Sequence, residues 1–325
     1  TSHYDSAIFN WFNRNGDATV FSKSITESHT LRYGENPHQK GVFFGDPDRS
    51  FVRLHGKEIS YNNLLDIESA ISLIDEFDDV TCAIIKHNNA CGVASRPALK
   101  EAWEDALACD PVSAYGGVVI VNREVDEIAA AEMDKVFLEV VMAPSFTPGA
   151  VKILSSKKNR IILQRRSAGN GRESFRSMLG GVLWQERDSS TEQASGMRPV
   201  TARQPSEEEY LDMVFANKIV KHSRSNAIVL AKNRQLCASG IGQTSRIDAL
   251  RQAIQKAKAF GFSLEGAVMA SDAYFPFADS VTTAHEAGIA AVVQPGGSVR
   301  DQESIDYCNK TGVAMVFTGV RHFKH

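Results

Sequence analysis

A lysine and a histidine stand side by side at Lys86-His87. The pair sets a fixed cation beside the side chain whose ordinary titration lies nearest neutrality, a combination suited to proton transfer and to stabilising developing charge. It follows the apolar run Cys82-Ala83-Ile84-Ile85, which reads as a buried strand. It precedes Asn88-Asn89-Ala90-Cys91-Gly92, which reads as a polar, glycine-ended turn. The pair is thereby placed at a strand's carboxyl end, where open α/β sheets gather their chemistry. Lysines and histidines are also ordinary surface residues, so the dipeptide alone leaves catalysis and a solvated turn both open.

Other segments mix glycine, amide and charge where strands are expected to end. Leu31 to Gln39 holds Arg32, Tyr33, a glycine and a proline that forbid a continuous helix. Asp110 to Gly117 enters a strand through Gly116-Gly117, a pair that permits close approach of a ligand or of a packed helix. Gly240 to Arg246 runs from strand into helix and offers amides to an anion, but it lacks both the dinucleotide fingerprint and the Walker lysine, which excludes those two cofactor modes. Gln294 to Ser298 has the form of a backbone nest or of a plain strand-to-helix connection. In Ser271 to Asp279, the rings of Tyr274, Phe275 and Phe277 surround Pro276, as core between subdomains or as an aromatic slot. The chain closes on Arg321-His322-Phe323-Lys324-His325, a basic tail of the kind that usually frays.

Positioning these residues requires an α/β scaffold. From a capping box at Ser206 and Glu209, a helix is expected with Leu211, Val214, Phe215 and Ile219 on one face. A hairpin follows, with strands at 227–231 and 236–241 around a turn at Asn233-Arg234. Helices at 245–260, 279–287 and 301–310 then alternate with strands at 267–270, 289–293 and 314–317. The order implies a mixed sheet flanked by helices. The N-terminal half carries a looser version: helices at 64–77, 98–109 and 123–134, and strands at 82–85, 117–121, 137–142 and 160–163. It suggests a structural duplication without a clear sequence repeat, joined through the polar stretch 188–204. Residues 4–14 read as an amphipathic helix with Tyr4, Ile8, Trp11 and Phe12 on its apolar face.

The composition is that of a globular protein large enough for two subdomains: 325 residues, 43% hydrophobic and 23% charged. A net charge of −3 gives no support for broad nucleic-acid binding. The five cysteines form no Cys-x-x-Cys and read as reduced thiols. No apolar run approaches the ~18 residues of a membrane span, and no signal-peptide pattern is seen, so a cytoplasmic location is expected. The start at Thr1 suggests a piece of a longer protein.

Taken together, LRYGENPHQ (31–39), KHNNACGVA (86–94), DPVSAYGGVV (110–119), SNAIVLAKN (225–233), GQTSRID (242–248), SDAYFPFADSV (271–281), QPGGSVRD (294–301) and RHFKH (321–325) resemble one family in its own order along the whole chain. It is the 5-aminoimidazole-4-carboxamide ribonucleotide (AICAR) formyltransferase family, the C-terminal part of a bifunctional purine-biosynthesis protein. The resemblance implies two cytidine-deaminase-like subdomains, at 1–195 and 196–325, with the IMP cyclohydrolase domain outside this chain. True deaminases need H-x-E and P-C-x-x-C zinc ligands, which this sequence lacks, so no zinc is expected. It further implies a homodimer with active sites at the subunit interface, 10-formyltetrahydrofolate as co-substrate, and, in some members, potassium.

The implied reaction moves a formyl group from the folate to the 5-amino group of AICAR. By positional match, His87 would be the general base, Lys86 the cationic electrophile and proton source, and Asn226 the group orienting the reacting amine or formyl oxygen. Arg32 and Arg321 would hold the nucleotide phosphate, with Tyr33, Gly116, Glu139, Arg246 and Phe323 shaping the rest of that site. Tyr274, Pro276, Phe277 and Asp279 would surround the folate, with Ser298 nearby. Glu139 stands where animal members have Asp, and Tyr274 where many have Phe. His325 matches the family's terminal histidine, which argues against fraying of the tail. A non-catalytic nucleotide-binding or dimerisation module is the alternative; it would need the arginines but not the Lys86-His87 pair.

Overall fold

The computed structural model describes residues 2–12, 20–166 and 171–325. In chain order the first part runs α1 (Ser2–Phe12), β1 (Ser28–Thr30), β2 (Val42–Phe44), β3 (Phe51–His55), α2 (Tyr61–Ile74), β4 (Thr81–Lys86), β5 (Asn89–Ser95), α3 (Leu99–Cys109), α4 (Pro111–Ala114), β6 (Val118–Val121), α5 (Glu127–Asp134), β7 (Val140–Ala143), α6 (Pro148–Leu154) and β8 (Ile161–Arg165). A ribbon of β9 (Glu173–Met178) and β10 (Gly181–Glu186) follows. The remainder is β11 (Arg198–Pro199), α7 (Glu207–Lys221), β12 (Ile228–Lys232), β13 (Gln235–Gly240), α8 (Arg246–Ala259), β14 (Val268–Ser271), α9 (Asp279–Glu286), β15 (Ala291–Gln294), α10 (Asp301–Thr311) and β16 (Ala314–Phe317).

One mixed sheet of 12 strands holds the chain together, in the order β11-β16-β15-β14-β12-β13-β5-β4-β6-β7-β8-β3. The order reads alike outward from its centre. On each side come a hairpin, three mutually parallel strands and an antiparallel edge strand. The expected α/β class and mixed sheet are observed, and the duplication is visible in the topology. Alternation along β4 divides the core: Ala83 and Ile85 face α2 and α7, while Cys82 and Ile84 face the layer of α3, α5 and α6. Helices α8, α9 and α10 cover the same face in the second half.

The antiparallel junction of β5 with β13 decides where the candidate residues lie. It sets the N-terminal ends of β6, β7 and β8 at the same sheet edge as the C-terminal ends of β14, β15 and β16. Lys86 does end its strand, but β4 runs against β6, so its surroundings are the strand entries of the first half. The expected carboxyl-end position is thus met by Lys86-His87 at the end of β4 and by the loops after β14 and β15, while the other loops of the first half at this edge are strand entries.

Several elements differ from expectation. Asn89 to Gly92 are not a turn but the start of β5; the turn is only His87 and Asn88. Gly92 sits inside the strand because a Cβ there would lie 2.0 Å from the Ala106 carbonyl oxygen of α3. Helix α5 starts at Glu127 rather than 123, since Asp126 caps it by accepting the Ala129 amide. Leu211 on α7 is exposed, and the buried polar Asp212 takes the inward position. Helix α1 ends at Phe12; residues 13 and 14 of that expectation, and Thr1, lie outside the described residues.

Candidate active site

His87 and Asn88 are the central residues of the β4–β5 hairpin, both left-handed with φ of 52° and 63°. The turn leaves His87 exposed and Lys86 half-buried. Lys86 Nζ donates to the Tyr115 carbonyl at 2.5 Å. Gly116, at φ 71°, would bring a Cβ within 3.5 Å of that ammonium, and its amide donates to Phe137 O at 2.7 Å. The glycine pair thus admits protein groups, among them the Phe137 ring and the end of β4. At the entry to β7, Glu139 is paired with Lys57 at 2.6 Å.

Lys86 and His87 line a cavity of about 240 Å³ whose far wall is Ser239, Ile241, Gln252 and Lys256 of the second half. Cys91 also lines it, but burial pushes its thiol up to about 12, so it is no nucleophile. Asn89 joins the halves at this point. Its Nδ2 donates to His87 O at 2.9 Å and its Oδ1 accepts the Arg224 amide at 3.4 Å.

Two residues beyond Arg224, Asn226 is held by both of its amide atoms. Its Nδ2 donates to Gln243 O at 3.0 Å and Thr244 O at 3.2 Å, and its Oδ1 accepts from Arg246 at 2.8 Å. The buried Arg246 guanidinium also donates to Asp272 at 2.8 Å and to Tyr274 O at 3.2 Å. Asp272 is fully buried, and its Oδ2 and the Arg246 Nε have no hydrogen-bond partner among the described residues. Arg246 therefore fixes Asn226 and the start of the aromatic loop together.

In that loop Phe275 is the core residue, whereas Tyr274 and Phe277 are 42% and 49% exposed. Arg300 lies over the Phe277 ring, 4.8 Å from its centre, and brings the loop after β15 beside the loop after β14. Pro276 and Asp279 are exposed in the same segment. An exposed flat ring under a guanidinium suits a flat heterocycle better than it suits core packing. The amides of Gly297 and Ser298 both donate to Asp301 Oδ2, at 2.7 and 3.1 Å, so this nest is filled by the chain's own carboxylate.

Arg32 lies 5.5 Å from the Tyr33 ring and Arg321 4.4 Å from the Phe323 ring. Among the described residues neither guanidinium has an ion-pair partner. The Arg32 loop is pinned to α2 by Asn62 Nδ2 donating to Glu35 O at 3.1 Å. The tail does not fray. His322 is buried, with Nδ1 2.6 Å from Asp188 and Nε2 2.8 Å from Glu192. Burial works against its charge, but the two carboxylates raise the imidazole to about 9. Ser225 and Lys324 exchange further bonds, tying the tail to the Asn226 segment.

Sequence reasoning missed Asp66 of α2. Its Oδ1 accepts the Asn88 amide at 2.6 Å, directly under the His87 turn. Burial pushes its carboxyl up, against the Asn88 amide and the nearby His87 and Lys86. The available signal was its spacing from the Ser60 cap, matched by Asp212 after Ser206.

The sequence model of the AICARFT/IMPCHase bienzyme family matches residues 1–256. The chain is 60% identical over its full length to the bifunctional purine biosynthesis protein PurH of Bacteroides thetaiotaomicron, covering 64% of that protein. It is 46% identical to PurH of Acetivibrio thermocellus and 47% identical to PurH of Aquifex aeolicus, again over all of this chain and over 65% and 66% of theirs. It thus spans just under two thirds of the length of these relatives.

Proposed function

The chain belongs to the AICARFT/IMPCHase bienzyme family, and from that premise we propose that it catalyses formyl transfer from 10-formyltetrahydrofolate to the 5-amino group of AICAR, in purine (IMP) biosynthesis. The observation that carries this reading is the placing of Lys86 and His87 together on the wall of a cavity between the two halves. A module that only bound nucleotide would need no such pair.

The amine of AICAR is a poor nucleophile because its lone pair is delocalised into the ring and the carboxamide. His87 takes the proton it sheds as the new C–N bond forms. Lys86 stabilises the oxyanion of the tetrahedral intermediate and supplies the proton that folate N10 needs as the old C–N bond breaks. Asn226, locked by Arg246, orients the amine or formyl oxygen. Arg32 and Arg321 carry the phosphate, and their lack of carboxylate partners among the described residues supports this; Tyr33, Gly116, Glu139, Arg246 and Phe323 complete the nucleotide site. The exposed rings of Tyr274 and Phe277, with Pro276, Asp279 and Ser298, take the folate. Potassium, a further expectation of the resemblance, has no assigned ligand here.

We also assign the halves 1–195 and 196–325 as cytidine-deaminase-like subdomains, for which the mirrored strand order is the support. The protein carrying this chain is proposed to have IMP cyclohydrolase activity in another part of its sequence and to work in the cytoplasm; no helix here is long and apolar enough to cross a membrane among the described residues. A homodimer with shared sites is favoured by distance. β4 and β14 are four ladder steps apart, about 19 Å at the usual strand spacing, beyond the reach of a side chain.

The test is formyl transfer by this chain beside His87→Ala, which should lower turnover by roughly 10²- to 10⁴-fold. Turnover of His87→Ala near that of the parent would refute the general-base assignment.

A further inference from the structure

The backbone at His87 and Asn88 adopts a conformation that L residues seldom visit, and the imidazole itself makes no hydrogen bond with a described residue that would fix it. Its aim is set by the turn. Asp66 sits under that turn with its Oδ1 2.6 Å from the Asn88 amide and with the His87 amide also facing the carboxylate. Ser69, one turn further along α2, adds a contact of 3.4 Å to the Asn88 side chain.

The duplicate half repeats this arrangement. Asp212 of α7 accepts the Asn233 amide at 2.8 Å and the Arg234 amide at 2.6 Å, in a turn whose residues both have φ of 52°. The aspartate lies 22 residues before the second turn amide in both halves. Lys232 Nζ donates to Glu265 O at 2.5 Å, as Lys86 Nζ does to Tyr115 O. Where one turn has His87 the other has Asn233, at the opposite edge of the sheet. The carboxylate under the turn is thus a device of the fold, and only in the first half does it carry an imidazole.

We propose that Asp66 is the positioning residue of the site: by accepting the Asn88 amide of the His87-Asn88 turn it holds the His87 imidazole where the attacking amine must meet it. The inference rests on the formyltransferase reading of that site. Asp66 touches neither substrate in this scheme and acts through the backbone that carries His87.

The experiment compares Asp66→Ala, Asp66→Asn and Asp212→Ala in this chain. Asp66→Ala should lower kcat by ~10²-fold with little change in the KM for the nucleotide, as expected when a catalytic group is displaced but binding is kept. Asp66→Asn, which retains one acceptor oxygen, should recover part of the loss, and it also stands in for the alanine variant if that does not fold. Asp212→Ala removes the same bonds from the other turn; it should lower the thermal midpoint yet leave kcat unchanged. Parental kcat in Asp66→Ala, or an equal kcat loss in Asp212→Ala, would overturn the proposal. Amide exchange at Asn88 separates the two readings. If no form of the chain transfers formyl groups, the functional reading fails, while faster Asn88 exchange in Asp66→Ala still supports the clamp and unchanged exchange rejects it.

Discussion

At the scale of single residues, the tail depends on one imidazole held between two acids. His322 lies next to Arg321 and Phe323, so the clamp by Asp188 and Glu192 decides whether those two can serve the site at all. Its folded pKa of about 9 is above the ordinary 6.5, so its stabilisation is complete below 6.5 and disappears as pH rises through about 9. The acids behave inversely: burial opposes their ionised forms, but His322 outweighs it and holds both below their ordinary values of 3.8 and 4.5. Their share is present above those values and is lost as pH falls through the lowered folded pKa values. His322→Gln should therefore lower the thermal midpoint most between about 5 and 6.5, with the difference from the parent shrinking above 6.5 and closing above about 9. Midpoints measured against pH check this, and a difference that persists in alkali would show that the charge is not what holds the tail.

At the scale of elements, two glycines set how closely the helices approach the central hairpins. A Cβ on Gly92 would meet Ala106 O of α3 at 2.0 Å, and one on Gly240 would meet Ala249 O of α8 at 1.8 Å. Both contacts are with helix backbone, which cannot rotate away. Gly92→Ala and Gly240→Ala should each cost about 1–3 kcal/mol, as overpacking does, read from denaturant midpoints; unchanged midpoints would mean that the helices shift freely. Gly92 also explains what was hard to read. A glycine after Asn88-Asn89 has the signature of a turn, and only the helix packed against it shows that it belongs to a strand. Elements that cap themselves were legible: Ser206 with Glu209 marked α7, and Asn233-Arg234 marked its hairpin. Leu211 was misplaced because Asp212, an unlikely core residue by type, is drawn inward by two turn amides that need an acceptor. Lys86 and His87 stood out by type, whereas Asp66 acts through backbone and has no signature beyond its spacing.

At the scale of the whole molecule, the groups proposed for formyl transfer form two sets along one sheet edge. Lys86 and His87 lie on the first half, and Tyr274, Phe277 and Ser298 on loops at least four strands away. Much apolar surface is left uncovered elsewhere: the β9–β10 ribbon exposes Phe175, Leu183 and Trp184, and α1 exposes Tyr4 and Ile8. Surface of this kind marks an association site, and a second copy related by a twofold axis would cover it in both subunits. If such a dimer brings one subunit's Lys86 and His87 to the other's aromatic loops, neither subunit owns a complete site. Co-expressing His87→Ala with Phe277→Ala, each inactive alone, would then build mixed dimers in which one site receives both substitutions and the other receives neither. Half of the dimers formed at random would be mixed and each would have one intact site of two, so the mixture should recover about a quarter of parental formyl transfer. Sites contained within single subunits would leave no mixed dimer with an intact one. Activity no higher than that of either variant alone, in a preparation shown by mass to contain the mixed dimer, would therefore reject the shared site.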